Sequence, residues 1–460
     1  DAYVEKTGEL YTVTVYFTRA TIMGSEPITN TSPLLERTDG TVTTTLEYHT
    51  CETLGLVKMD FLGLSNLTVI RDTLNNIEAN GKERIDHTKI PLDDRPTYDL
   101  LSRGDTLGVF QLDSDGMRSL LKALKPNNFN DISALIALYR PGPMDMDSHT
   151  NYAKRKNGLQ KITPIHPEVA EPLKEVLDET YGLIVYQEQV QSAARILAGY
   201  SLGKADVLRR AMGKKKPEVL AKEKIPFFAG MKEHGYSEEA AQAVWDILVP
   251  FSGYAFNKAH SAAYGLISYW TAYLKTHYPV EFMAALMTSV MGDTAQIARY
   301  IRNCGDMGIE VLPPCVNKSM KKFSVENGKI HFGLLGVKNV GEGAIDAMIR
   351  ARTEKGEPRD IFSFINNLEI SLVNKKAVES LIKAGACDCL SDNRAAMLAI
   401  YESLVESAQN TAKKNIEGQM SLFDLAGESM QPEMTGGRLP DVAPFDKRIE
   451  LEMEKEMLGV

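Results

Sequence analysis

Two stretches of this 460-residue chain place charged side chains where they could meet a phosphate or a metal ion. The first is LGLVKMDFLGL, residues 54–64. Side chains of a strand alternate between its faces. Val57, Met59 and Phe61 are therefore expected on one face, toward a core, with Lys58 and Asp60 together on the other. A carboxylate beside an ammonium on a sheet face could hold a divalent metal and a phosphate. The competing reading is an ordinary surface ion pair, which is common and contributes little. The second stretch is GKADVLRRAMGKKK, residues 203–216, in which six of fourteen residues are Lys or Arg against a single Asp. At helical spacing Leu208 and Met212 face a core, Arg210 and Lys214 share another face, and Arg209 lies beside them. Gly213 reads as a helix stop, which leaves Lys214, Lys215 and Lys216 on the following loop. Arginine meets phosphate with a bidentate fork and lysine with a point charge. A solvated helix, the competing reading, usually mixes both signs, and this one does not.

These stretches need elements to hold them, and the patterning predicts which. Residues 10–18 (LYTVTVYFT) and 40–49 (GTVTTTLEYH) alternate and are rich in β-branched and aromatic residues, so residues 1–66 read as strand-rich. From about 67 the pattern becomes helical, with long amphipathic stretches at 167–200 and 236–250. Turns are expected at RPGPM (140–144) and FSGYAFN (251–257), and short strands return within 297–332 and at KIHFGLLGV (329–337). Helices then resume to about 412. Residues 413–445 are polar and weakly periodic, which predicts a linker. The expected fold class is mainly α with a strand-rich N-terminal part.

Bulk properties narrow the functions. The net charge of −9 argues against a protein that coats nucleic acid with its whole surface, but not against a basic channel in an acidic body. Five scattered cysteines without a framework spacing suggest reduced thiols in a cytosolic protein, and no zinc pattern is present. No apolar run approaches the roughly 18 residues that a membrane span needs. The chain begins without Met and stops at EMLGV within a charged helical pattern, so it is read as part of a longer protein.

VKMDFLGLSNLTVI resembles the end of the palm domain of bacterial replicative DNA polymerase III α subunits, the C family of DNA polymerases. So do, in order, DTLGVFQLDSDGM (105–117), ALYRPGPM (137–144), YGLIVYQEQV (181–190), GKADVLRRAMGKKK and FSGYAFNKAHSAAYGLISYWTAYLK (251–275). Several of these are long and unusual. The resemblance implies template-directed addition of dNMP from dNTP to a primer 3′ hydroxyl, a nucleotidyltransferase reaction, in the cytoplasm. It implies the end of a nucleotidyltransferase-like palm over 1–66, with 1–20 unassigned, and helical fingers over 67–296. A helix-hairpin-helix, clamp-binding domain would cover 297–412, and 413–460 would be a linker with a clamp-binding motif and a truncated end. Asp60 would be one of three aspartates holding two Mg²⁺ ions, with Lys58 lining the same site. The other two belong to a PDxDxDF motif that this chain lacks. Asp145 and Asp147, also spaced D-x-D, follow RPGP, where the family has no ligands, and read as a polar loop. Arg209 and Arg210 would hold the dNTP triphosphate, and Lys214–Lys216 the primer-template phosphates. Tyr254, Asn257, Lys258 and His260 would lie against sugar and base, with Arg140, Gln187, Glu188 and Gln189 lining the pocket. For His260, a satisfied helix-start histidine is the alternative.

Two further segments suggest partners. LLGVKNVGEGAIDAMI (334–349) looks like a helix-hairpin-helix, whose backbone N–H groups would meet a DNA phosphate at Gly341 and Gly343, with Asn339 supplying the left-handed residue. A plain helical turn is the alternative, and NKKAVESLIKAGACD (374–388) would be a companion unit capped by Gly385. QMSLFDL (419–425) places large apolar residues in a polar linker. It resembles the sliding-clamp motif, with Gln419 at a pocket rim, Met420 and Ser421 as spacers, and Leu422 and Phe423 as anchors. Other holoenzyme subunits would then be partners. A non-catalytic DNA- and clamp-binding module and an error-prone paralogue are the alternative functions.

Overall fold

The structure is a computed structural model of the chain and describes residues 3–7, 10–15, 20–38, 42–60, 63–213, 217–252, 255–416 and 438–459. The chain is mainly helical with a strand-containing N-terminus, and it divides into two compact units, Asp1–Ser65 and Asn66–Val460.

In the N-terminal unit, alternation of β-branched residues gives an antiparallel sheet of Tyr3–Thr7, Leu10–Val15, Ala20–Gly24 and Val57–Asp60, in that order. The expected strand at 40–49 shortens to Val42–Thr44, paired with Leu34–Glu36. Tyr48–Thr53 becomes a helix instead. This helix delivers Cys51 to the small core, where it is buried with Ile28 and Leu56. The expected burial of Val57 and Met59 is corrected as well. They are 55% and 43% exposed. Their strand is at the sheet edge, and the residue that enters the core is Leu56, just before it. Phe61 lies outside the described residues.

The second unit is built on three apolar clusters. One gathers the helices Arg95–Arg103, Asp115–Leu124 and Phe129–Leu138 around Tyr269 and Ala272 of the long helix Lys258–His277. Another packs Gln187–Ala198, Leu202–Gly213, Pro217–Glu233 and Glu238–Ser252 against one another. The third, the largest, joins the helix Ser65–Ala79 to Pro279–Ser289 and to most of the chain beyond 297. Glu281, 1% exposed, sits at that junction and accepts from Lys82 at 2.6 Å and Asn80 at 3.1 Å. Burial raises its pKa, but these donors outweigh burial and hold it below the usual glutamate value.

Three expectations about helices change. Of the stretch 167–200, only Gln187–Ala198 is a long helix; 167–180 breaks into short turns, Tyr181 and Gly182 take positive φ (+51° and +76°), and the chain then runs extended to Tyr186. Pro141–Asp145 is a short helix rather than a turn, since proline at its start needs no N–H partner. Helix Arg394–Ile416 runs past the predicted linker start at 413. Past 297 the returning strands are brief: Val311–Leu312, Ser324–Glu326 and Lys329–His331. The charged terminal pattern forms the helix Lys447–Leu458, which buries Met457 and Leu458 and ties Glu454 to the buried Arg394 at 2.7 Å. Among the described residues no helix is long and apolar enough to cross a membrane.

Candidate functional site

The basic stretch folds as the helix Leu202–Gly213. Ala205 and Leu208 are fully buried, which turns Asp206, Arg209 and Arg210 outward. Asp206 organises both arginines. Its Oδ1 accepts from Arg209 Nε at 3.0 Å and Nη2 at 2.8 Å, and from Gln191 Nε2 at 3.1 Å. Its Oδ2 accepts from Arg210 Nε at 2.7 Å, with Arg210 Nη2 at 2.5 Å. The two guanidinium groups hold the Asp206 carboxyl below its usual pKa. The sequence reading counted Asp206 only as a lone acid. Its i, i+3 and i, i+4 spacing to the arginines was the available signal.

Arg209 reaches further, donating from Nη1 to Gln187 Oε1 at 3.2 Å. Gln187 donates in turn to the Ala255 carbonyl at 3.2 Å, and its backbone N–H to the Phe256 carbonyl at 2.9 Å. Tyr186 and Phe256 form an isolated parallel bridge there. Glu188 accepts the Lys258 backbone N–H on both oxygens, at 3.1 and 3.0 Å, and the Asn257 amide at 3.0 Å. Asn257 caps the long helix by accepting from His260 N at 2.8 Å. The Lys258 ammonium is paired with Glu179 at 2.7 Å. The exposed His260 ring stacks on Tyr264 at 4.5 Å and meets Phe256 edge-on at 5.2 Å. The Arg140 guanidinium lies 4.3 Å over the Phe256 ring.

Most of the predicted pocket residues in this unit thus converge through one chain of contacts that runs by way of Phe256: Arg209, Gln187, Glu188, Asn257, Lys258, His260 and Arg140. Gln189 is a correction. It is 4% exposed and spends its amide on Val185 N, Tyr186 N, the Val176 carbonyl and Thr180, so it braces the loop instead of lining a pocket. Tyr254, Lys214, Lys215 and Lys216 lie outside the described residues, as do Gln419, Met420, Ser421, Leu422 and Phe423.

In the N-terminal unit, the backbone of Asp60 pairs with Ala20 at the end of the edge strand, and its side chain is not described. Lys58 is exposed, with its ammonium 5.0 Å from the Tyr48 ring centre. Among the described residues no group of three His, Cys, Asp or Glu side chains could hold a metal, Asp145 and Asp147 included. A two-ion clamp needs several carboxylates. The described residues do not by themselves fit one.

The hairpin at 334–349 has a single 3-10 turn, Leu334–Gly336, as its first limb and the helix Glu342–Lys355 as its second. Asn339 takes φ +64°, as its place in the turn requires, and its side chain donates to Ser380 Oγ at 3.1 Å. The amide of Asn339 therefore faces the neighbouring helix Lys375–Lys383. Gly341 caps the second limb without a side-chain partner, and a Cβ at Gly341 or Gly343 would meet nothing within 4 Å. Gly385 follows the companion helix with φ +76°.

Comparison with known proteins agrees with this layout. Residues 66–235 match the bacterial DNA polymerase III alpha subunit finger domain, residues 9–63 the bacterial DNA polymerase III alpha NTPase domain, and residues 308–397 a helix-hairpin-helix motif. The NTPase-domain match begins at residue 9, within the stretch 1–20 whose sequence alone carries no assignment. The DNA polymerase III subunit alpha of Mycobacterium tuberculosis is 49% identical over 445 residues, 96% of this chain and 37% of that protein. That of Thermus aquaticus is 43% identical over 95% of this chain and 35% of its own length, and that of Escherichia coli K12 42% identical over 89% and 36%. The chain thus spans little more than a third of the length of these relatives. With its three matched domains in family order and this identity over nearly its whole length, the chain belongs to the bacterial DNA polymerase III alpha subunit family.

Proposed function

We propose that this chain supplies the end of the palm, the nucleotide-binding fingers and a DNA-binding hairpin of a replicative DNA polymerase that adds dNMP to a primer 3′ end. One observation carries the reading: Arg209 and Arg210 stand side by side on Asp206, and Gln187 links Arg209 to the segment 255–260. Two guanidinium groups beside an aromatic and amide-bearing wall suit a triphosphate followed by sugar and base. Asn257 and His260 face the sugar and base, Tyr254 belongs with them, and Lys258 holds the wall through Glu179. Lys214–Lys216 take template-primer phosphates. Catalysis of this kind is positioning plus charge stabilisation, and it needs no protein nucleophile. Mg²⁺ would be held by Asp60 together with aspartates beyond this chain.

The 460-residue chain alone is expected to bind primer-template DNA but not to extend it, since it offers one of three metal-holding aspartates. Gel-based primer extension checks this. Robust extension by the purified chain would overturn the assignment of Asp60, and absence of DNA binding would overturn the hairpin assignment.

The hairpin gives a cleaner separation. Because a Cβ at Gly341 or Gly343 meets open space and neither residue has a positive φ, Gly341→Ala with Gly343→Ala leaves the fold intact. If the uncapped N–H groups there approach a DNA phosphate, the added methyls hold it off. Duplex affinity is then expected to fall about tenfold, the loss of one charge-assisted hydrogen bond. Fluorescence anisotropy with an unchanged melting temperature reads this out, and undiminished affinity removes the hairpin from the interface.

Gln419–Phe423 would anchor the chain to the sliding clamp, the other holoenzyme subunits joining through the same assembly. A peptide spanning Glu417 to Ala426 is expected to bind the clamp. Leu422→Ala with Phe423→Ala should cost about 2–4 kcal/mol, as for hot-spot anchors. Equal calorimetric affinity of the two peptides would sink the motif and revive the error-prone paralogue.

A further inference from the structure

The long helix that begins at Lys258 carries a second concentration of positive charge near its other end. At about 1.5 Å per residue, Lys275 lies roughly 25 Å along it from Lys258. Lys275 is 2% exposed, and its ammonium donates to the Leu107 carbonyl at 2.8 Å and to Asn303 Oδ1 at 3.1 Å. Burial pushes its pKa down to about 8; the Asp105 carboxylate opposes that fall and the Arg118 guanidinium adds to it. An ammonium is therefore held in a dry place beside a second cation.

Leu107 and Asn303 also line an open cleft of about 670 Å³. Arg118 enters it from the helix Asp115–Leu124, and Arg299 and Arg302 from the helix Thr294–Asp306. Arg118 is anchored through Nε on the Gly104 carbonyl at 2.8 Å, with its Nη1 a loose 3.8 Å from Asp115. Among the described residues Arg302 makes only a long 3.4 Å contact to the Ala298 carbonyl. Among the described residues no carboxylate comes within ion-pair distance of Arg299 or Arg302. Asp293 and Asp306 share the rim, but Asp293 is engaged as the helix cap, accepting from Gln296 N at 3.0 Å. Three guanidinium groups and two carboxylates thus line the cleft, with Asp115 loosely beside Arg118 and the Lys275 ammonium buried behind Leu107 and Asn303 with Asp105 near it, in a chain whose overall charge is −9.

We infer that this cleft is a second phosphate-binding site, in which Arg299 and Arg302 take the phosphate oxygens and Arg118 closes from the opposite wall. Positions i and i+3 of a helix share a face, so the two forks reach one anion. Guanidinium forks match phosphate geometry, and a cationic recess in an acidic body concentrates anions. The cleft exceeds one phosphate and has the size of pockets that hold a phosphate with its attached group. Two sources share this chemistry: the backbone of a nucleic-acid strand, and a free pyrophosphate-type anion.

The test uses the full chain carrying Arg209→Ala and Arg210→Ala, so that the first arginine pair does not contribute. It is titrated calorimetrically with inorganic pyrophosphate, and separately with a single-stranded oligonucleotide. Adding Arg299→Ala and Arg302→Ala is expected to weaken at least one titration by roughly tenfold or more. Arg299→Lys with Arg302→Lys should restore part of the loss. If the strand is the ligand, the slope of log affinity against log salt should fall by about 1.4, two contacts at 0.7 each. Loss with pyrophosphate alone assigns the free anion. Identical affinities for both probes before and after the substitution overturn the site, and so does the absence of binding in the starting variant. Should the double variant melt early, the exposed Arg302→Ala alone gives the same comparison. None of these outcomes depends on the Arg209–Arg210 assignment.

Discussion

Primer extension by a longer polymerase containing this chain is expected to fall about 10³-fold or more when Asp60 is replaced by Asn. The substitution keeps the shape and removes the charge. Asp60 is the last residue of the edge strand, where its backbone is set by pairing with Ala20. That ladder uses main-chain groups, so Asn leaves the strand in register. Lys58 lies two residues back on the same strand. If this carboxylate is one of the groups that stabilise charge on the reacting phosphate, its loss costs several kcal/mol, and about 4 kcal/mol is 10³ in rate. Primer-template binding should hardly change, because phosphate contacts elsewhere supply it. Single-turnover extension and anisotropy on the same preparation separate the two effects. Unimpaired extension would return Lys58 and Asp60 to the reading of an ordinary surface pair. Equal loss of binding and extension would make Asp60 structural.

The sequence was most legible where one local rule decided the outcome. Alternation placed Leu10–Val15 on a strand, and the tolerance of Asn for left-handed backbone placed Asn339 in its turn. Charge periodicity announced the helix Lys447–Leu458. It failed where a partner distant in sequence decided. Val57 and Met59 alternate as core residues should, yet burial depends on what covers the strand, and an edge strand in a small sheet is covered on fewer sides. The break at Tyr181–Gly182 arises because Tyr186 must run beside Phe256, seventy residues on. Gln189 looks like its neighbours Gln187 and Glu188 in sequence. Its different fate follows from the buried N–H and carbonyl groups of that loop, which need an amide in reach. Asp206 was visible as a residue. Its part became clear only once both arginines were seen to share its two oxygens.

That shared carboxylate shapes the second large effect. Replacing Arg209 and Arg210 together with Ala is expected to lower kcat/KM for dNTP by roughly 10²–10⁴-fold, at about 1.5–3 kcal/mol for each charge-assisted contact to phosphate. The single variants should not be equal. Arg209, 27% exposed, also holds Gln187, so its removal loosens the wall at Ala255 and Phe256. Arg210 is 68% exposed and bonds only Asp206 among the described residues, which puts its loss at the lower end. Each guanidinium spends part of its donor fork on Asp206 and keeps other N–H groups for an incoming anion. Asp206→Asn then serves as the discriminating variant. If Asp206 acts by aligning the arginines, neutralising it should raise KM for dNTP while both arginines are present, and should add nothing once both are gone. Steady-state kinetics on the four combinations complete the cycle. Unchanged efficiency in the double variant would show that the triphosphate binds elsewhere. A full additive penalty for Asp206→Asn in the arginine-free background would give Asp206 a role of its own, separate from the pair it holds.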